Sequence, residues 1–174
     1  VLRGTQGAPE ETIRGIEMTE HGSFEGTVYI AGPLFSLAER SYIEQLVNEL
    51  ELRLPNCSFI VPHRYAASIF GSPDFLDRVF ELCISNARRA DAMVAILDGA
   101  DADSGTCIEM GEVHRSVPII GVRTDFRALE DRGVNVMVSK LCNEMILLTD
   151  TSVTVEQVAD HVAAALARLG NPSL

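Results

Sequence analysis

The stretch that decides the fold is "DAMVAILDGADADSGTCIEMG", residues 91–111. Its first part, from Ala92 to Leu97, is entirely apolar, as expected of a central parallel strand that is covered on both faces. Acidic residues and glycines come next, and a helix is predicted from Gly105 to about Ser116. A buried strand that runs through an acidic turn into a helix predicts an α/β protein with polar groups gathered at a strand end.

The same alternation of strand and helix extends along the rest of the chain. Short apolar, β-rich runs predict five strands, at "TVYIAG" (27–32), "SFIVP" (58–62), "DAMVAILDG" (91–99), "VPIIGVR" (117–123) and "EMILLT" (144–149). Apolar residues at helical spacing predict further helices over about 36–54, 74–90 and 154–169. Residues 63–73 are expected to form a long loop or a broken helix, and "VNVMVSKL" (134–141) fits either a helix or a strand.

This alternation indicates a parallel sheet with helices on both faces. Because crossovers between parallel strands are right-handed, only a small set of doubly wound topologies remains. We therefore expect a single-domain α/β protein with a flavodoxin-like (Rossmann-like) five-stranded parallel sheet. The domain is expected to span residues 27–174, and the polar, aperiodic residues 1–26 to form an N-terminal extension.

Composition limits the partners and the compartment of the protein. A formal net charge of −11 over 174 residues, with no Lys/Arg stripe, argues against nucleic-acid polymers and anionic membranes as partners. No apolar run approaches the ~18–20 residues that span a bilayer, and the first 15 residues lack the apolar core of a signal peptide. The four cysteines form no C-x-x-C pair, so we expect reduced thiols in a cytoplasmic protein.

Ligands of such folds bind outside the carboxyl ends of the strands, and two strand ends attract attention here. The first, "YIAGPLF" (29–35), does not match G-x-G-x-x-G, so a dinucleotide is not expected. Its Gly32 and Phe35 are better suited to framing a small planar or sugar ligand, although Phe35 could also belong to the core. The second strand end is the acidic stretch that follows Leu97.

The carboxylates of that acidic stretch divide into different roles, so we expect no metal site among them. Asp98 and Asp101 fit ordinary turn chemistry, and Asp103 is a good N-cap for the helix that follows. Glu109 lies one turn above Gly105, among apolar neighbours. It is either a helix-surface carboxylate or a nucleophile of the kind that attacks a sugar anomeric carbon. If Glu109 is a nucleophile, Tyr29 on the first strand is the candidate residue that holds its carboxylate in place.

Four segments in the correct order carry a resemblance to a known family. "VYIAGPLFSLAER" (28–40), "RADAMVAILDGADADSGTCIEMG" (89–111), "PIIGVRTDFR" (118–127) and "VNVM" (134–137) together resemble the nucleoside 2-deoxyribosyltransferases. The resemblance implies a flavodoxin-like fold and an enzyme that cleaves the N-glycosidic bond of 2′-deoxynucleosides. The deoxyribosyl group then passes to another nucleobase with retention, and no metal or organic cofactor takes part.

The resemblance also implies roles for individual residues. Glu109 falls on the nucleophile of the family's D-x-G-x-x-x-E pattern, Asp103 on its substrate-contacting aspartate, and Tyr29 on the tyrosine that orients the nucleophile. Asn135 and Met137 fall on a segment that closes the sugar site of a neighbouring subunit. This implies a homo-oligomer, a dimer or a trimer of dimers. The candidate substrate contacts are Gly32, Phe35, Asp98, Gly105, Asn135 and Met137.

The chain also departs from the family pattern. Some members carry an acidic residue on the second helix that helps to handle the base, and an ungapped count places Cys83 there. Cys83 also lies on an apolar helical face with Leu76, Val79, Phe80 and Ala87, where a cysteine is usually a core residue. Protonation of the base would then need Asp103, Asp98 or a water. His63 and Arg64 could contact the base or form a solvated pair, and Arg123, Asp125 and Arg127 could form an ion-pair network.

Three functions follow from these residues. The first is deoxyribosyl transfer between nucleobases through a covalent glycosyl-Glu109 intermediate. The second is an N-glycosidase of nucleosides or nucleoside 5′-monophosphates, in which water resolves the same intermediate. The third is a nucleotide sensor without catalysis. A sensor has no need of a nucleophile, so the joint presence of Tyr29, Asp103 and Glu109 argues against it.

Overall fold

The computed structural model describes residues 24–127 and 134–170, and these form one parallel sheet flanked by helices. Its strands are β1 (Gly26–Ala31), β2 (Cys57–Ile60), β3 (Ala92–Ile96), β4 (Ile119–Arg123) and β5 (Glu144–Leu147). They are ordered β2-β1-β3-β4-β5 and every neighbouring pair is parallel. The predicted flavodoxin-like fold is therefore confirmed, with all five strands where the sequence indicated them.

The apolar composition of β3 and β4 accounts for their position inside the sheet. Every residue of β3 and of β4 is buried, which explains why β3 is a continuous apolar run and why β4 has no polar side chain before Arg123. Two apolar clusters lie on opposite faces of the sheet; Val94 and Ile96 point into one, and Met93 and Ala95 into the other. The sheet order thus leaves the carboxyl ends of β1 and β3 side by side at its centre.

Six helices are present in the described part of the chain. They are α1 (Leu37–Arg53), α2 (Pro62–Ile69), α3 (Phe75–Arg89), α4 (Ser104–Val113), α5 (Val136–Ser139) and α6 (Val155–Gly170). Ser36 caps α1 through a complete capping box with Glu39. At the start of α6, Thr154 and Gln157 exchange hydrogen bonds in the same way. The apolar face of α1 is buried as its spacing predicted, through Ile43, Leu46, Val47 and Leu50.

Three local expectations change in the structure. The stretch after β2 is an eight-residue helix, α2, with Pro62 at its first turn, where a missing N–H is harmless. Residues 136–139 resolve as the single-turn helix α5. The apolar face assigned to α3 was wrong in part: Leu76 and Phe80 are exposed, whereas Ile84 and Ala87 are buried. Of the predicted face only Ala87 is buried, so the buried side of α3 overlaps the predicted face in part.

The predicted extension, residues 1–26, lies almost entirely outside the described residues, and its boundary stays a prediction. Within the described part, Phe24 is buried against the core and the strand proper begins at Gly26. Gly26 has a φ of 141°, and a Cβ there would lie 2.6 Å from Asp91 Oδ2. Thr27 N donates to that same carboxylate at 2.7 Å, so Asp91 anchors the first strand. In the described ranges, no helix has both the length and the apolar character needed to span a membrane.

Candidate active site

A cavity of about 260 Å³ opens at the carboxyl ends of β1 and β3. This size is near the lower end of ligand pockets (~300–1,000 Å³), which suits a small molecule rather than a dinucleotide. One side, here called the carboxylate wall, consists of Tyr29, Asp103, Gly105, Thr106 and Glu109. A second set of lining residues, here called the α2–α3 wall, consists of Pro62, His63, Tyr65, Ala66, Val79, Leu82, Cys83 and Asn86. Gly32, Leu34 and Phe35 complete the lining.

Tyr29 and Glu109 meet on the carboxylate wall. The buried Tyr29 hydroxyl donates to Glu109 Oε1 at 2.9 Å, across 80 positions of sequence. Burial, and then the negative charge of Glu109, raise the pKa of Tyr29, so the hydroxyl stays a donor. Burial also raises the pKa of Glu109, while the hydrogen bond from Tyr29 opposes that rise. The arrangement therefore holds one carboxylate in place with little solvent to stabilise its charge.

Asp103 is the N-cap of α4, as its position in the sequence predicted. One carboxylate oxygen, Oδ2, accepts from Thr106 N at 2.8 Å and from Thr106 Oγ1 at 3.1 Å. Gly105 lines the cavity beside it, and a Cβ at Gly105 would lie 3.1 Å from the same oxygen. The cap thus fixes the start of α4, one turn below Glu109, and leaves space in front of both carboxylates.

The loop after β1 frames the opening of the cavity. A Cβ at Gly32 would lie 3.0 Å from the Cβ of Ile96, so the close approach of β1 to β3 requires glycine here. The Phe35 side chain is 78% exposed, and it lines the cavity instead of joining the core. Arg40 donates to the carbonyl oxygens of Leu34 and Phe35 at 2.9 and 2.7 Å, which fixes this loop.

Asp98 does not line the cavity, and its carboxylate instead binds groups at the end of β4. Its carboxylate accepts from Thr124 N and Oγ1, both at 2.6 Å, and from Asp125 N at 2.9 Å. These contacts tie the ends of β3 and β4 together and match the turn interpretation. Its predicted contact with substrate has no support among the residues that line the cavity.

The expected ion-pair network near Asp98 is only partly present. Asp125 pairs with Arg127, and this guanidinium holds the pKa of Asp125 well below its usual range. Arg123 is fully buried and donates instead to carbonyl oxygens, those of Leu97 at 2.6 Å and Gly99 at 3.1 Å. The prediction that Arg123 belongs to this ion-pair network was therefore wrong. Its guanidinium instead stabilises the turn after β3.

Asn135 and Met137 do not reach the cavity of their own chain. Asn135 caps α5, where its side chain accepts from Met137 N at 2.9 Å. Both side chains are exposed, and Met137 is 74% accessible. Their predicted contribution to a neighbouring subunit's site stays a prediction.

Sequence reasoning missed most of the α2–α3 wall. Cys83, which the sequence placed both on an apolar face and at the family's base-handling position, lines the cavity near Tyr29 and Glu109. Burial, and then the charge of Glu109, raise the pKa of this thiol to about 11, so the thiol is protonated at neutral pH. Asn86 and Tyr65 also line the cavity. The available signal was the spacing of Val79, Cys83 and Asn86, which places all three on one helical face.

His63 lines the cavity, whereas the neighbouring Arg64 does not. Both bind the carboxylate of Glu44 on α1: His63 Nε2 lies 2.6 Å from Oε1, and Arg64 donates to Oε2 at 2.5 Å. His63 and Arg64 are therefore not a solvated pair, because both bind Glu44. Only the His63 imidazole faces the cavity. Within the described ranges, no group of three or more His, Cys, Asp or Glu side chains is arranged to hold a metal ion.

These features define a flavodoxin-like α/β protein with a tyrosine-held carboxylate at the carboxyl edge of its sheet. The family model "Nucleoside 2-deoxyribosyltransferase" matches residues 28–162. The chain belongs to this family of enzymes, and the matched range contains every residue of the carboxylate wall. A comparison with curated proteins finds no significant match.

Solved structures with the same fold include three of interest. A conserved protein from Enterococcus faecalis V583 is 20% identical with a TM-score of 0.64, over 81% of this chain and 99% of that one. A 2-deoxyribosyltransferase from Bacillus psychrosaccharolyticus is 20% identical with a TM-score of 0.59, over 80% and 95%. A CMP N-glycosidase from Clostridium botulinum is 17% identical with a TM-score of 0.52, over 78% and 97%.

Proposed function

We propose that this protein is a nucleoside 2-deoxyribosyltransferase that moves the deoxyribosyl group of a 2′-deoxynucleoside to another nucleobase. The observation that carries the proposal is the 2.9 Å hydrogen bond between Tyr29 and Glu109 on the wall of a small cavity. A carboxylate that is both partly desolvated and oriented is what attack on an anomeric carbon requires. Membership of the family supports the same reading.

In the proposed first step, a Glu109 oxygen attacks C1′ and the C1′–N bond to the base breaks. The bonding electrons leave with the base, and a covalent deoxyribosyl ester remains on Glu109. An incoming base then attacks C1′ from the side that the first base left. Two successive inversions give retention, as in other double displacements at a sugar carbon. Tyr29 fixes the nucleophile, and Asp103 binds the sugar hydroxyls.

The alternative is an N-glycosidase, in which water takes the place of the second base. The fold that this chain shares with the CMP N-glycosidase from Clostridium botulinum is the reason to test hydrolysis as the alternative reaction. A nucleoside 5′-monophosphate is less well supported as the substrate, since no arginine or lysine is among the residues that line the described cavity. A cation is the usual partner of a phosphate, so the cavity favours a free 5′-hydroxyl.

Product analysis by chromatography tests the reaction. The protein is incubated with a 2′-deoxynucleoside, with and without a second free base. A new nucleoside in the presence of that base is the expected result. Release of free base at the same rate in both incubations would instead assign the hydrolase.

A matched pair of variants tests the nucleophile in the same assay. Glu109→Gln should abolish product formation, whereas Glu81→Gln, an exposed glutamate on α3, should leave it unchanged. Mass spectrometry of the acid-quenched wild type should show one deoxyribosyl adduct, which Glu109→Gln lacks. Full activity of Glu109→Gln would exclude this carboxylate as the nucleophile.

We also propose that the active form is a homo-oligomer in which Asn135 and Met137 complete a neighbour's cavity. Their exposure and their absence from their own cavity support this arrangement. Glu109→Gln protein and Asn135→Ala/Met137→Ala protein are each expected to be inactive. After subunits are exchanged, the mixture should regain about a quarter of the wild-type activity, because half of the sites in mixed dimers combine intact residues. No recovery in a verified mixed oligomer would show that each site is built from one chain.

A further inference from the structure

The second noteworthy group at the cavity is His63 on α2, which is held by a carboxylate from another helix. Its Nε2 lies 2.6 Å from Oε1 of Glu44, which projects from α1. The hydrogen bond from Arg64, followed by that from His63, lowers the pKa of Glu44, so the group that holds the imidazole is a carboxylate. A carboxylate bound to one ring nitrogen fixes the orientation of the ring and determines which nitrogen is left for a ligand.

The nitrogen that is left is Nδ1. It is buried and has no hydrogen-bond partner among the described residues, although the ring as a whole lines the cavity. The His63 side chain is only 19% exposed. A buried polar nitrogen without a hydrogen-bond partner is unfavourable, so such atoms are rare unless a ligand supplies the partner. The imidazole is therefore placed as a group that completes its hydrogen bonding with a molecule in the cavity.

The side chains of the carboxylate wall are already engaged with one another. Tyr29 and Glu109 are bound to each other, and Asp103 accepts two hydrogen bonds from Thr106. Where some relatives are expected to carry a carboxyl, on α3, this chain has the thiol of Cys83, whose pKa burial raises to about 11. The reaction still needs a proton for the departing base, because an anionic nucleobase is a poor leaving group. Asn86 and Tyr65 also line the cavity, but an imidazole exchanges protons far more readily than an amide or a phenol, and His63 has a ring nitrogen without a partner to supply the proton.

We propose that His63, oriented by Glu44, is the acid–base residue of the reaction and protonates the departing base from Nδ1. This assignment rests on the proposed function. As the C1′–N bond breaks, its electron pair moves onto the base, and the base takes the proton from the Nδ1 of the imidazolium. A neutral base leaves, and the imidazole is neutral. In the second half, the incoming base attacks C1′, its N–H proton passes to Nδ1, and Glu109 departs as a carboxylate.

The experiment compares leaving groups that do and do not need a proton. Wild type, His63→Gln and Glu44→Gln are assayed on a 2′-deoxynucleoside and on 4-nitrophenyl 2-deoxyriboside, whose leaving group departs as a stable anion. His63→Gln should lose ~10²–10³-fold in kcat/KM on the nucleoside and less than about threefold on the nitrophenyl glycoside. Glu44→Gln should show the same selectivity with a loss of ~10-fold, because the ring keeps its proton-transfer atom but loses its orientation.

His161→Gln, an exposed histidine on α6, is the matched control and should match the wild type on both substrates. Equal losses on both substrates would overturn the assignment, since a structural role would impair both reactions alike. Undiminished activity of His63→Gln on the nucleoside would overturn it as well. Glu44→Gln provides the same test if the His63 variant fails to fold. A wild-type protein that releases no base from any 2′-deoxynucleoside would overturn the proposed function itself, a result distinct from either of these.

Discussion

The two walls of the cavity are built in different ways. On the carboxylate wall, side chains hold one another: Tyr29 donates to Glu109, and Asp103 accepts from both donors of Thr106. On the α2–α3 wall, Val79 and Leu82 offer apolar surface, with single polar groups between such residues. A network of fixed polar groups suits chemistry at a defined atom, whereas an apolar surface with a few polar groups suits recognition of a flat ligand. Under the proposed function, the carboxylate wall carries the nucleophile, whereas the α2–α3 wall faces the base and contributes its proposed proton donor, His63.

The largest effect is expected from Glu109→Gln on the carboxylate wall. Loss of the nucleophile should lower kcat by at least ~10³-fold, measured with saturating 2′-deoxynucleoside and acceptor base. The same variant should be more stable at pH 7, with Tm higher by roughly 2–4 °C, because a desolvated charge is removed. Activity within tenfold of wild type would place the chemistry elsewhere.

The stability difference should depend on pH in a defined direction. The pKa of Glu109 is raised by burial in the folded protein, so the ionised form is destabilised there relative to the unfolded chain. The penalty is absent below the unfolded pKa and develops as pH rises through the folded one. Calorimetry should therefore find equal Tm values for Glu109→Gln and wild type near pH 4 and a growing gap towards pH 7. A gap that shrinks with rising pH would contradict the burial of this charge.

Tyr29→Phe should produce the next largest effect, a loss of ~10–10²-fold in kcat/KM, since the carboxylate loses its orienting donor. The hydrogen bond from Tyr29 lowers the pKa of Glu109, and its removal should raise that pKa further. Because the nucleophile must be ionised, the acid limb of the kcat/KM profile should move to higher pH. An unchanged acid limb would mean that another group governs it.

A smaller effect, and one on stability, is expected outside both walls. Asp98→Ala removes the acceptor of two backbone N–H groups and one hydroxyl between β3 and β4. The free energy of unfolding should fall by about 1–3 kcal/mol in urea titrations, with kcat/KM changed less than about threefold. Asp101→Ala, with a single contact to the neighbouring Ala102 N, is the matched control and should change stability by less than about 0.5 kcal/mol. A large loss of activity with little loss of stability would make Asp98 a substrate contact.

The smallest effect is expected from Asn86→Ala on the α2–α3 wall. Loss of one hydrogen-bonding side chain at the base should change the ratio of kcat/KM between two acceptor bases by about 3–10-fold. The ester-forming step should be unaffected, which burst kinetics with a single donor nucleoside can measure. If donor cleavage falls while the ratio between bases is constant, Asn86 belongs functionally to the carboxylate wall.

The carboxylate wall and the fold could be read from the sequence for physical reasons. Strands such as 92–97 are short, continuous apolar runs, and the N-cap at Asp103 follows from local hydrogen-bonding chemistry alone. The helix that starts there then carries Glu109 to the rim after one turn. Local rules and strand order are enough to bring Tyr29 and Glu109 together, because β1 and β3 are neighbours in this topology.

The α2–α3 wall could not be read in the same way. Its placement depends on how α2 and α3 pack over the edge of the sheet, and helical spacing alone does not say which side of α3 faces the core. Leu76 and Phe80 fit an apolar stripe as well as Ile84 does, yet only Ile84 is buried. Cys83 was expected in the core for the same reason. His63 and Glu44 lie on different helices and are 19 positions apart in the sequence, so no local sequence pattern predicts their contact.

The α2–α3 wall is contiguous in the chain, since all of its residues fall within 62–86, whereas Tyr29 precedes and Asp103–Glu109 follow this segment. One contiguous segment of the gene therefore encodes the whole α2–α3 wall. A single cassette replacement between β2 and β3 would exchange the whole α2–α3 wall, including the proposed proton donor His63, and leave Tyr29 and Glu109 in the retained part of the chain. We expect such an exchange to alter base preference and to retain activity only where the new segment again places a histidine within reach of Glu44 on α1.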